Sequence, residues 1–308
     1  MYQIFLIIER PPANIDAVSG LALGLVLLAS AFHATWNLLT KRGVDKLLFI
    51  WWTGIVGTLA LFAPVYWLSP SPSWNVEFWA RVGLGAVLRA AYFFTLSAAY
   101  TRGDLSSVYP LARGIAPVVV PVAAILLLGE HITGIALVGI ATVTIGVYIV
   151  HVPRLAWRAM LAPLRVLNSG AVGYAIMTGA VIASYSIVDK WTIATGVPPA
   201  WYAYFTIPMA ALLLTPFALR RARPVAEWSE NPGPIVIVSV LMTTGYLLVL
   251  YALRFAPVSY VAPVREVAIV FGTILGVVVL GEPHGRQRIV GALLIVIGVV
   301  LLSQSPAP

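Results

Sequence analysis

Two stretches decide the fold: LLLGEHITGIALVGIATVTIGVYIV, from Leu126 to Val150, and VVLGEPHGRQRIVGALLIVIGVVLL, from Val278 to Leu302. Gly129 and Glu130 of the first recur as Gly281 and Glu282 of the second, 152 residues later, and Gly139 and Gly146 recur as Gly291 and Gly298. Upstream, AYTRGDLSSVYPLARG (99–114) is matched by ALRFAPVSYVAPVREV (252–267) at an offset of 153, and Lys41 by Lys190 at 149. A nearly constant offset along the chain is the signature of an internal repeat, here one duplication of half the length.

The material repeated is apolar. Of 308 residues 60% are hydrophobic and 10% charged, against roughly 25% charged in an ordinary soluble domain. The 25 glycines show no triplet period and the 22 prolines lie among apolar runs, which excludes collagen-like and disordered classes. With no cysteine and four histidines, disulfides and thiolate metal sites are excluded, and neither a metal nor a cofactor is expected. A spanning helix needs about 20 apolar residues, and ten such segments fall at 17–39, 47–69, 76–100, 105–128, 132–151, 168–190, 200–219, 235–254, 258–280 and 286–303. The expected fold is an all-α integral membrane protein of ten transmembrane helices. It divides into a short tail (1–16), a first five-helix unit (17–151), a basic linker (152–167), a second unit (168–303) and a tail (304–308). Five spans per unit is odd, so the two units enter the membrane from opposite sides. That inverted arrangement suits a carrier that exposes one central site to each side in turn.

The formal charge of +8 does not indicate nucleic acid, because the basic residues are scattered between apolar runs instead of forming a stripe. Connections after the odd-numbered spans carry 12 Lys and Arg against 4 on the other side. Positive-inside bias then places both termini outside.

Polar groups at membrane depth are costly and usually face a cavity or a partner. In the first segment His33, Trp36 and Asn37 share a broad helical face; an interhelical hydrogen-bond network or ligand contact accounts for them equally. In the third, Arg89 and Tyr92 share a face, while Arg81 is near enough to the end to snorkel. In the fourth, Tyr109 and Arg113 lie at helical spacing between Pro110 and Pro117, and Arg113 serves either a substrate or a carboxylate such as Glu266. The second half offers Tyr185 and Asp189 at i, i+4 near the end of the sixth segment, then Arg265 and Glu266 beside Pro263; Glu266 occupies the place of Arg113 in the repeat and is the candidate proton carrier. Gly129, Glu130, Gly281 and Glu282 read as helix-turn residues, the glycine ending one helix and the glutamate meeting amide dipoles. Gly272 and Gly276 form a GxxxG packing motif.

With HATWNLLTK (33–41), GDLSSVYPLARG (103–114) and the paired LLLGE and VVLGE endings in hand, the chain resembles the EamA family of the drug/metabolite transporter superfamily over about 17–303. The resemblance implies an inverted five-plus-five carrier of amino acids, sugars or other small metabolites, with Trp36, Asn37, Tyr109 and Arg113 in a central cavity. It also implies cytoplasmic termini, opposite to the charge count. The reading is a secondary transporter, not an enzyme, moving a small polar metabolite such as an amino acid or organic anion by alternating access. Its expected setting is the bacterial cytoplasmic membrane, with the bilayer, the small-molecule substrate and a proton or other coupling ion as partners. Nothing fixes an oligomeric state. The rival readings are a selective channel, a membrane-embedded enzyme and a non-transporting scaffold.

Overall fold

The structure, a computed structural model, describes residues 20–40, 43, 45–102, 105–151, 170–221, 223–280 and 285–305. Within these it describes only the backbone at 64, 68, 100–102, 105–113, 151, 171–172 and 277–280. The tail at 1–16, residues 306–308, the linker at 152–167, Gly281 and Glu282 lie outside the described residues, as do the side chains of Tyr109 and Arg113.

Every regular element among the described residues is helical. The first series is α1 (Gly20–Thr40), α2 (Lys46–Leu68), α3 (Val76–Arg102), α4 (Leu105–Leu128) and α5 (Gly134–His151). The second is α6 (Gly170–Ala194), α7 (Pro199–Ala218), the short α8 (Pro224–Glu230), α9 (Pro232–Phe255), α10 (Val258–Val264), α11 (Val267–Leu280) and α12 (Arg286–Gln304). Among the described residues seven helical stretches are long and apolar enough to cross a membrane: α1, α2, α3, α7, α9, the α10–α11 pair and α12. Large apolar side chains such as Leu126, Leu127 and Leu212 stand exposed on the outside of the bundle, which lipid, not water, makes favourable.

Two departures from the expected segments have local causes. The ninth segment is broken, α10 ending at Val264 and α11 starting at Val267. Pro263 lacks an amide hydrogen and its ring crowds the preceding turn, so the regular ladder fails there. The Arg265 carbonyl, which accepts the Ala268 amide at 3.1 Å in a tightened turn, also accepts a hydrogen bond from the Ser30 hydroxyl of α1 at 3.3 Å, the kind of outside partner that irregular backbone at membrane depth attracts. The unforeseen α8 tucks under α2: Trp52 donates its indole N–H to the Pro224 carbonyl at 2.8 Å, and the Asp45 amide donates to Glu227 at 2.9 Å. Asp45 in turn caps α2 through the amides of Leu47 and Leu48, satisfying helix-end donors.

Packing between the two series is reciprocal. The first helix of each packs on the third and fourth of the other: α1 on α9 and α11, and α6 on α3 and α4. The second helices, α2 and α7, meet each other, as do the last, α5 and α12. This is the contact pattern of two twofold-related units. At the α5–α12 crossing, a Cβ built on Gly146 would lie 2.7 Å from the Gly291 carbonyl oxygen, and one on Gly298 would lie 2.7 Å from that of Gly139. Only glycine permits this backbone approach. Gly272, by contrast, has nothing within 4 Å of its Cβ direction among the described residues, so it makes no backbone approach of the same kind.

The turn residues also join the units. Gly129 has φ of 67°, the left-handed backbone that glycine adopts without steric cost. Glu130 beyond it accepts from the amides of Val258 and Ser259 at 2.9 and 3.0 Å and from the Ser259 hydroxyl at 2.6 Å. A carboxylate of the first unit thus caps α10 of the second. Lys190 closes the same corner, donating to the Leu253 and Ala256 carbonyls at the end of α9. Glu130→Ala should remove charged hydrogen bonds to three donors and cost about 1–3 kcal/mol, read as a lowered thermal midpoint in detergent; an unchanged midpoint would contradict the capping role.

Candidate functional site

The reciprocal packing leaves a cavity where α1, α3, α6, α9 and the α10–α11 break converge. Its wall includes His33 and Trp36 from α1, Arg89 and Tyr92 from α3, Tyr185 from α6, and Arg265 from the break. All six are candidates from the sequence, and they come from both units. Tyr246 and Met242 of α9 complete the side that pattern reading did not reach.

Arg89 organises this region. One guanidinium nitrogen lies 2.8 Å from Asp189 Oδ2, and the pair is largely removed from solvent, with side-chain exposures of 15% and 4%. The other carboxylate oxygen, Oδ1, accepts hydroxyl hydrogen bonds from Tyr202 at 3.0 Å and Tyr246 at 3.2 Å. The guanidinium carbon sits 3.5 Å from the centroid of the Tyr246 ring and 5.0 Å from that of Tyr185. Both signs of charge are therefore matched within one cluster, the cation by a carboxylate and aromatic faces and the anion by a guanidinium and two phenols. That is how an ion pair persists in a low-dielectric interior. Space for Tyr202 comes from Gly85, where any Cβ would collide with the tyrosine hydroxyl.

Arg265 lies at the break, where no regular helix surrounds it. Among the described residues it has no ion-pair partner. The cavity therefore presents one guanidinium bonded to Asp189 and a second, that of Arg265, within electrostatic reach of the same carboxylate but not bonded to it. Glu266, next in the chain, is buried at 4% exposure. An Arg113–Glu266 contact falls outside the description because the Arg113 side chain does. Asn37 turns back on its own helix, its amide donating to the His33 carbonyl at 2.8 Å. The His33 and Trp36 rings meet edge to face with centroids 4.7 Å apart, forming a firm aromatic wall.

Arg81 corrects an expectation. Instead of snorkelling it is 5% exposed, bonded to Glu77 one turn earlier and to Thr195, with its guanidinium 4.2 Å from the Trp191 ring centroid. It locks α3 to the end of α6 and plays no part in the cavity wall. Among the described residues no group of three His, Cys, Asp or Glu side chains is arranged to hold a metal.

Comparison with known proteins bears on the whole chain. A crystal structure of a protein 17% identical in sequence superposes with a TM-score of 0.73, covering 94% of this chain and 99% of that one; at that identity the likeness concerns the fold. No curated protein matches the chain. A family model, the EamA-like transporter family, matches twice, at residues 20–152 and 169–304. Those two matches cover both helical series and agree with their reciprocal packing: the chain is a multi-pass membrane protein and belongs to the EamA-like transporter family.

Proposed function

We propose that the protein is a secondary transporter of ten spans, arranged as two oppositely inserted fives, that carries a small organic anion or amino acid across the bacterial cytoplasmic membrane by alternating access. The observation that carries this reading is the cavity between the units, with two guanidiniums on its wall and one carboxylate, Asp189, bonded to Arg89 and not to Arg265. A carboxylate entering the cavity meets the Arg265 guanidinium, the residue type best suited to bidentate recognition of that group. Trp36, Tyr92 and Tyr185 supply aromatic walls for the rest of the molecule, and His33 a polar edge. The proton-coupling role stays with Glu266, buried beside Arg265. Arg113 and Tyr109 complete the first unit's share of the site by the repeat.

The test is solute counterflow in proteoliposomes, screening amino acids, organic acids, phosphonates and sugars. Saturable exchange of a carboxylated solute is expected, and Arg265→Gln should lower it roughly 10- to 100-fold, the loss that follows from removing a charged hydrogen-bonding partner. Unchanged exchange in that variant would overturn the assignment of Arg265. High conductance without exchange would indicate a channel, and chemical turnover of a solute an enzyme.

A further inference from the structure

A second cavity, of about 390 Å³, lies apart from the first on the flank of the bundle. It is enclosed by the start of α2 (Leu47), the later half of α3 (Phe94, Ala98) and the end of α7 (Phe217), with Arg220 and Arg221 at its rim. It shares no lining residue with the central cavity.

Its depth in the membrane follows from the chain. Arg220 and Arg221 come directly after the candidate span Pro199–Ala218, and Asp45, just before α2, lies 3.6 Å from Arg221. The rim therefore stands where apolar helix gives way to charged connection, at headgroup level. The walls below are aromatic and open sideways: Phe94 is 44% and Phe217 43% exposed, and their rings touch at 5.5 Å between centroids.

The two cations are not equivalent. Arg221 has Asp45 as a neighbour, whereas Arg220 is exposed and has no ion-pair partner among the described residues. The groove thus couples an unneutralised guanidinium at headgroup height to an aromatic cleft running toward the hydrocarbon. A soluble anion would use the first feature and leave the second bare. A neutral lipid would do the opposite. A phospholipid with an anionic headgroup uses both, its phosphate on Arg220 and Arg221 and an acyl chain along Phe94 and Phe217.

We infer that this flank groove is a binding site for an acidic phospholipid. The protein purified in a mild detergent is mixed with phosphatidylglycerol or with phosphatidylcholine of identical acyl chains, and retained lipid is counted by native mass spectrometry while the thermal midpoint is followed by tryptophan fluorescence. Phosphatidylglycerol should be retained in preference and raise the midpoint more than phosphatidylcholine, by an increment that shrinks with added salt. Arg220→Gln should weaken its retention roughly fivefold, and Arg220→Gln with Arg221→Gln roughly 25-fold, while the response to phosphatidylcholine stays as it was. If the double variant does not fold, Arg220→Gln alone decides, since among the described residues the Arg220 side chain makes no hydrogen bond or ion pair. Equal retention of the two lipids, or unaltered selectivity in Arg220→Gln, would overturn the proposal. So would full reproduction of the effect by glycerol 3-phosphate, which lacks acyl chains, or a change in oligomeric mass in place of lipid loss.

Discussion

Asp189→Ala is expected to destabilise the protein by about 3–5 kcal/mol, the penalty for leaving one member of a buried ion pair alone. In the native chain Asp189 neutralises Arg89 and accepts from two tyrosines. The alanine variant strands a guanidinium at membrane depth and takes an acceptor from the buried Tyr202 phenol and the half-buried Tyr246 phenol. Thermal unfolding in detergent and the fraction of monodisperse protein after extraction would report the loss. Replacing both charges, Arg89→Leu with Asp189→Leu, should recover much of the stability, because two apolar groups of similar size avoid the uncompensated charge. Transport should not return with it, since Arg89 lines the cavity. A single variant as stable as the native protein would mean that the pair contributes nothing to holding α3 against α6.

The second large effect belongs to the α5–α12 crossing. Gly298→Leu places a side chain where even a Cβ would lie 2.7 Å from the Gly139 carbonyl oxygen and 2.8 Å from the Val143 amide nitrogen. Backbone cannot move aside as a flexible side chain does, so the helices must separate. The expected cost is at or above the roughly 3 kcal/mol end of overpacking effects, seen as lost folded yield and a lower midpoint. Gly272→Leu is the matched control: its Cβ direction is open among the described residues, and lipid-facing substitutions without contacts should stay within about 0.5 kcal/mol. Equal losses in the two variants would show that the crossing is not what joins the last helices.

How far the sequence alone reaches depends on the kind of information. The apolar runs and the two LGE endings were legible because each is local and because the chain states them twice. The pairing of last helices followed less directly, although the recurrence of Gly139 and Gly146 as Gly291 and Gly298 was plain in the repeat. The break at Arg265 had a visible cause in Pro263, yet Pro110 and Pro117 lie within an unbroken α4, so proline alone does not say which helix parts. The short α8 has seven residues, too few for a periodic pattern. Of the cavity wall, His33, Trp36, Arg89, Tyr92, Tyr185 and Arg265 could be marked as polar or aromatic groups in apolar helices. Asp189 could be marked as well, four residues after Tyr185, but its pairing with Arg89 could not, because the two are 100 residues apart in different units and only tertiary packing brings them together. Tyr202 and Tyr246 were hidden for a further reason: in helices rich in aromatic residues, nothing local separates a tyrosine that hydrogen-bonds a carboxylate from one that faces lipid. Arg81 was misplaced because its distance from the span end was legible and its neighbours Trp191 and Thr195 were not.

The central claim is that one cavity between the two units opens to each side of the membrane in turn. The chain contains no cysteine, so Met242→Cys, on the cavity wall, gives a single reporter without background. The deciding measurement is its labelling by a membrane-impermeant thiol reagent, applied first to intact oriented proteoliposomes and then, in a separate sample, from the opposite face. Labelling from either face, slowed by a transported solute, is the predicted result. Labelling from one face alone, under every solute and ion gradient applied, would contradict it.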